Sequence, residues 1–127
     1  MKETFYPTLD EALYLHELLI QRFGGKAGVL DKGLLESALA RPRSGHYRSI
    51  SEQAAALMQS LAMNHPFVDG NKRVAFALTA VFLRMNGLML HVEASEGVHF
   101  MEITLISERA NLKAITDWLE SHIKPTR

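Results

Sequence analysis

The sequence predicts a compact all-α single domain of about six helices packed around one buried central helix. Three observations predict it. Apolar residues recur at helical spacing along most of the chain, helix-start and helix-stop residues punctuate that pattern, and one long segment is apolar nearly all round. A chain of 127 residues that is 47% hydrophobic fits one domain. At that size folding buries roughly 65–70% of the unfolded surface, so neither disulfides nor a structural metal are needed.

The elements follow in order. Thr8-Leu9-Asp10-Glu11 reads as a capping box, in which the Thr8 hydroxyl takes an orphan amide and Glu11 reaches back. Leu9, Ala12, Leu13, Leu19, Ile20 and Phe23 then form an apolar stripe, and Gly24-Gly25 stops the helix. His16 falls on that stripe, where a histidine satisfied by a core neighbour outweighs a functional one. Asp31 can cap a short helix from Lys32 to Ala40, which must end before Pro42. Residues 41–49 (RPRSGHYRS) form a polar, basic loop. An alanine-rich helix from Ser51 to Asn64 carries Ala54, Leu57, Met58 and Leu61 on its core side, and Pro66 breaks it. The longest helix, Gly70 to Asn86, carries Val74, Ala77, Leu78, Val81, Phe82 and Met85, with Ala75, Phe76 and Leu83 beside that stripe. This is the expected central helix, with Gly87 just past its end. Leu88 to Val92 alternates weakly and fits a short strand or an extended turn. Helices from Ser95 to Ser107 and Asn111 to Ile123 close the domain, the last with Leu112, Ile115, Trp118, Leu119 and Ile123 at helical spacing.

Composition excludes several functions. There is no cysteine, hence no disulfide framework, thiolate zinc site or cysteine nucleophile. Fourteen basic residues balance fourteen acidic ones, which argues against direct nucleic-acid binding, because that normally needs excess Lys and Arg. No apolar run approaches the roughly 20 residues of a membrane span. Met1 to Leu13 lacks the apolar core of a signal peptide. A cytoplasmic protein is expected.

The informative segment is His65-Pro66-Phe67-Val68-Asp69-Gly70-Asn71-Lys72-Arg73. Pro66 drives His65 out of the α region, so the imidazole sits at a sharp break between helices. Asp69 and Gly70 open the next helix, whose first N–H groups and dipole make an anion site. Lys72 and Arg73 add two cations in that first turn, a costly arrangement unless an anion binds. Asn71 supplies an amide donor, Asp69 a carboxylate suited to Mg²⁺, and His65 a base near neutral pH. Phosphoryl or nucleotidyl transfer needs those parts together. On chemistry alone a common polar turn with a solvated Lys-Arg pair fits equally well.

The segment closely resembles the HPFxxGN[G/K]R core of the Fic/Doc family, and the lysine after Asn71 is like the death-on-curing (Doc) branch. Arg22-Phe23-Gly24-Gly25, Asp31 through Leu39, Ala40-Arg41-Pro42-Arg43 and Phe82-Leu83-Arg84-Met85-Asn86-Gly87 resemble the same sequences. The likeness covers nearly the whole chain and implies a Fic-like helical bundle. It further implies that His65 takes the proton from a target hydroxyl and that Asp69 binds Mg²⁺ bridging the phosphates of ATP. Gly70, Asn71, Lys72 and Arg73 would hold those phosphates, with Lys72 also counted as catalytic. Phe67 would anchor the loop in the core, and Val68 occupies a variable position.

The AMP-transferring branch has Gly where Lys72 stands and a further Arg three residues after Arg73, where this chain has Phe76. Both departures point away from adenylylation. In Doc-like members the γ-phosphoryl faces the target hydroxyl, so the resemblance implies a kinase toxin acting on a threonine of a translation factor of the elongation factor Tu type. The inhibitory pattern [ST]xxxE[GN] is incomplete at Thr104…Glu108-Arg109 and at Thr116…Glu120-Ser121, so inhibition is expected from a separate antitoxin whose disordered tail folds on binding. The basic loop Arg41, Arg43, His46, Tyr47, Arg48 is either a solvated connection or a flap on which the target backbone docks. Two alternatives stand beside the kinase: an AMP transferase acting on a protein hydroxyl, and a helical binding module without catalysis.

Overall fold

The computed structural model describes residues 3–126. The all-α expectation holds, with one small two-stranded sheet added. Helix α1 (Leu9–Phe23) begins at the expected capping box, in which the Glu11 N–H donates to Thr8 Oγ1 at 3.1 Å and the Thr8 N–H donates to Glu11 Oε1 at 2.8 Å. It stops at Gly24, whose φ of +90° leaves the helical region. Helix α2 (Lys32–Ala40) starts on Asp31, which accepts from the Leu34 N–H at 3.0 Å. A 3₁₀ turn, Arg41–Arg43, continues it with Pro42 buried. Helix α3 (Ile50–Asn64) has a second capping box, Ser49 with Glu52. Helix α4 (Asn71–Met85) follows the short break at residues 65–70.

Two expectations about packing are corrected. The most enclosed helix is α3, buried without a gap from Gln53 through Met58, whereas α4 leaves Val81 exposed and Phe76 and Ala77 only half covered. The reason is side-chain size. Ala54, Ala55, Ala56 and Ala62 let neighbours close on every side of α3, and the larger apolar residues of α4 serve two different faces. Phe23, placed on the core stripe by its spacing, is 55% exposed. The basic loop is exposed at Arg43, His46 and Arg48 but anchored at Arg41. Arg41 donates from Nε to the Tyr47 hydroxyl at 2.7 Å, and from an Nη to Ser60 Oγ at 2.9 Å and Gln59 Oε1 at 3.0 Å.

The C-terminal third departs further from the sequence pattern. Strand β1 (Leu88–Leu90) is shorter than expected and pairs antiparallel with β2 (Ile123–Pro125), with Leu90 opposite Ile123 and Leu88 opposite Pro125. Ile123 therefore begins a strand rather than ending a helix, and α6 (Leu112–Glu120) stops three residues early. The expected helix from Ser95 to Ser107 is split into α5 (Ala94–His99) and a π-helical segment, Phe100–Ser107. Wider winding brings Phe100, Met101 and Leu105 to one buried face, and the Phe100 ring stacks on Trp118 of α6 at 3.9 Å.

His122 ties these parts together. Its Nδ1 lies 2.7 Å from the Trp118 carbonyl and its Nε2 lies 2.7 Å from Glu96 Oε2 on α5. Both partners accept, so the protonated ring can donate to both at once. The Trp118 carbonyl first, then Glu96, raises its pKa above the ordinary 6.5. A raised folded pKa stabilises the fold fully below 6.5, and that contribution is lost as pH climbs through the raised value. Thermal midpoints measured upward from pH 6 should therefore fall more steeply for the wild type than for His122→Ala. Parallel curves would dismiss the ion pair as a source of stability.

Candidate active site

The break between α3 and α4 is held from three sides. His65 ends α3 in the left-handed region (φ 52°, ψ 59°), a conformation that His adopts more readily than most side chains. The Pro66 carbonyl then accepts from the Leu30 and Asp31 N–H groups at 2.8 and 3.0 Å, and the Val68 N–H donates to the Gly28 carbonyl at 3.0 Å. Below the loop, Phe67 is fully buried and stacks on His16 at 3.8 Å. His16 Nε2 sits 2.8 Å from the Asp69 carbonyl, so it donates there. His16 is the satisfied core histidine that its position on the stripe indicated.

Asn71 supplies the third tie. Its Oδ1 accepts from the Phe67 N–H and its Nδ2 donates to the Phe67 carbonyl, both at 2.9 Å, and the side chain is buried. The carboxamide expected to face a phosphate is thus spent on clamping the loop. That clamp pairs two residues four apart, which spacing alone did not disclose.

Asp69 is presented by two main-chain donors. Lys26 N–H reaches its Oδ2 at 3.1 Å and Gly70 N–H reaches its Oδ1 at 2.9 Å. These bonds, Lys26 first, hold its carboxyl below the ordinary carboxylate range, so it stays an anion. The close approach depends on Gly25: with φ of +113°, a Cβ there would lie 2.8 Å from Asp69 Oδ2. The pair Gly24-Gly25, visible in the sequence only as a helix stop, thus shapes the site. Gly25→Ala should push the Asp69 carboxylate aside. We expect a modest loss of stability and at least a tenfold loss of any activity that depends on that carboxylate, and unchanged activity would separate Gly25 from the site.

Helix α4 begins differently from α1, α2, α3 and α6, each of which is capped by a side chain. Gly70 (φ 76°) offers none, and the first turn holds no acidic residue but does hold Lys72 and Arg73. Open N–H groups, the helix dipole and two cations converge there. His65, Asp69, Gly70, Asn71, Lys72 and Arg73 all line one cleft of about 730 Å³. Its far wall, unforeseen in the sequence, comes from α5 and the π-helical segment through Val98, Met101, Glu102 and Ile106, with Phe76 and Val92 between. Lys72 Nζ is 3.4 Å from Glu102 Oε2 across the mouth, an exposed pair. The basic loop at residues 41–49 contributes nothing to this cleft.

The family model for the Fic/DOC family matches residues 6–83, which include the whole of this loop and α4 through Leu83. The chain belongs to the Fic/DOC family. Toxin Doc of Mycolicibacterium smegmatis is 49% identical over 73 residues, covering 54% of this chain and 56% of that protein. The chain thus spans little more than half the length of that relative. Protein kinase doc of Escherichia phage P1 is 34% identical over 85 residues, covering 64% of this chain and 68% of its own length. Among the described residues no helix is long and apolar enough to cross a membrane.

Proposed function

We propose that this chain is a Doc-type toxin, a protein phosphotransferase that moves the γ-phosphoryl group of ATP to a Ser or Thr hydroxyl and is silenced by a partner antitoxin. The observation that carries the reading is the uncapped, basic start of α4 beside the Asp69 carboxylate and the exposed His65, all in one cleft. The names of the two relatives, a toxin and a protein kinase, support it.

Each residue then has a task. His65 takes the proton of the target hydroxyl as that oxygen bonds to the γ-phosphorus. The bond from that phosphorus to the β,γ-bridging oxygen breaks, and ADP leaves with the electron pair. The first N–H groups of α4, with Lys72 and Arg73, hold the phosphates in line. Asp69 fits Mg²⁺. Each carboxylate oxygen accepts one N–H and keeps a lone pair, so Asp69 could hold Mg²⁺ as a single protein ligand, with phosphate oxygens and water able to supply the others. When bound, that ion would offset charge developing on the transferred group.

Phosphoryl transfer is favoured over AMP transfer by Phe76. At the position of the second arginine of the AMP-transferring branch, this ring packs on α5, 3.3 Å from where a Cβ on Gly97 would stand. The proposed target, from the family resemblance, is a translation factor of the elongation factor Tu type. The proposed antitoxin lays an amphipathic segment on the apolar side of the cleft at Phe76, Val98, Met101 and Ile106. Residues 41–49 do not line this cleft, so they do not frame that surface.

Intact mass of elongation factor Tu after incubation with the protein, ATP and Mg²⁺ tests the reaction. A gain of about 80 Da is expected, and about 329 Da would replace the reading with AMP transfer. Expression alone should arrest growth and co-expression with the antitoxin restore it. Harmless accumulation of a protein that modifies its target when purified would overturn the antitoxin.

A further inference from the structure

Phe23 has no role in the reading above, and its placement is unusual. It ends α1 with more than half its surface in solvent, although the apolar spacing assigned it to the core. Its ring is occupied instead by guanidinium groups. Arg73 Cζ lies 4.5 Å from the ring centroid and Arg22 Cζ lies 5.7 Å from it. Arg73 belongs to the first turn of α4 and lines the cleft.

The two cations of that turn are restrained in opposite ways. Lys72 meets a carboxylate, Glu102. Among the described residues Arg73 forms no ion pair and no side-chain hydrogen bond, and its guanidinium lies over the Phe23 ring. The difference matters chemically. A carboxylate partner would neutralise the guanidinium and occupy its N–H groups. An aromatic face attracts the cation through its quadrupole and leaves the in-plane donors free for a bidentate contact with phosphate.

We propose that Phe23 is a positioning residue for the phosphate site: its ring holds the Arg73 guanidinium in place while leaving every donor open to a nucleotide phosphate. The inference rests on the phosphate-binding role proposed for α4. It adds a reason for the Arg22-Phe23-Gly24-Gly25-Lys26 segment to wrap the loop. Phe23 sets the guanidinium, while Gly25 and the Lys26 N–H set the Asp69 carboxylate. One short stretch of chain thus positions both charged groups of the cleft.

The test is calorimetric binding of Mg²⁺–ADP and of inorganic pyrophosphate to the full chain, beside kinetics with ATP. Phe23→Leu keeps the bulk and removes the ring. It should weaken both ligands about three- to tenfold, the range of an exposed to partly desolvated cation–π contact. Its KM for ATP should rise by the same factor with kcat nearly constant and the melting temperature unchanged. Phe23→Tyr should bind within twofold of wild type. In an Arg73→Ala background Phe23→Leu should have no further effect, because the group it positions is gone. Wild-type affinity in Phe23→Leu, or equal losses with and without Arg73, overturns the inference and leaves the function standing. Failure of the wild type to bind either ligand overturns both.

Discussion

His65→Ala and His65→Asn should each lower target modification by about 10²–10⁴-fold, the usual worth of a general base. The two substitutions are informative together because of the backbone. His65 sits at φ 52°, and asparagine tolerates that region better than alanine, so His65→Asn removes the base while preserving the turn. The imidazole is exposed and makes no hydrogen bond among the described residues, so neither variant should shift the melting temperature by more than a few degrees. Retention of activity in both variants would remove His65 from the chemistry. Loss in Ala alone would show that the turn matters and the base does not.

Asn71→Ala should have the largest effect on stability. It deletes two hydrogen bonds at once and leaves the Phe67 N–H and carbonyl without partners in a buried setting. Each such orphan costs about 1–3 kcal/mol, so a loss of about 2–6 kcal/mol is expected, a fall in melting temperature on the order of 10 °C. Activity should fall with it even at temperatures where the variant is folded, because the same loop carries Asp69 and the start of α4. Thermal unfolding followed by circular dichroism measures the first part, and the mass assay at low temperature measures the second. An Asn71→Ala protein that melts with the wild type would mean that the Pro66 and Val68 bonds hold the loop unaided.

Much of the molecule was legible because its signals are local. Thr8 with Glu11, and Asp31, cap their helices through bonds spanning three residues, which spacing discloses directly. One wall of the cleft was legible for the same reason: His65 through Arg73 are contiguous, so a short break of backbone brings imidazole, carboxylate and cations together. What failed was burial. Periodicity states which side chains share a face and says nothing of what lies opposite it. Phe23 therefore looked like core until the fold set the arginine of α4 above it. Val81 and Met85 looked as enclosed as Val74, although α3, with its alanines, takes the centre.

The sequence by itself determined that this chain is helical, where its first two helices begin, and which contiguous segment brings His65, Asp69, Lys72 and Arg73 to one cleft, since each of those depends on neighbours a few positions apart. Only the tertiary structure decided that the Asn71 side chain is a clamp and that Gly25 and Lys26 shape the carboxylate of Asp69. It alone decided that β1 finds its partner at Ile123–Pro125 and that a π-helical segment walls the cleft. These contacts join residues far apart in the chain, about forty positions between Lys26 and Asp69. Their energies come from close approach and from the exclusion of water, which no local pattern of residue types encodes.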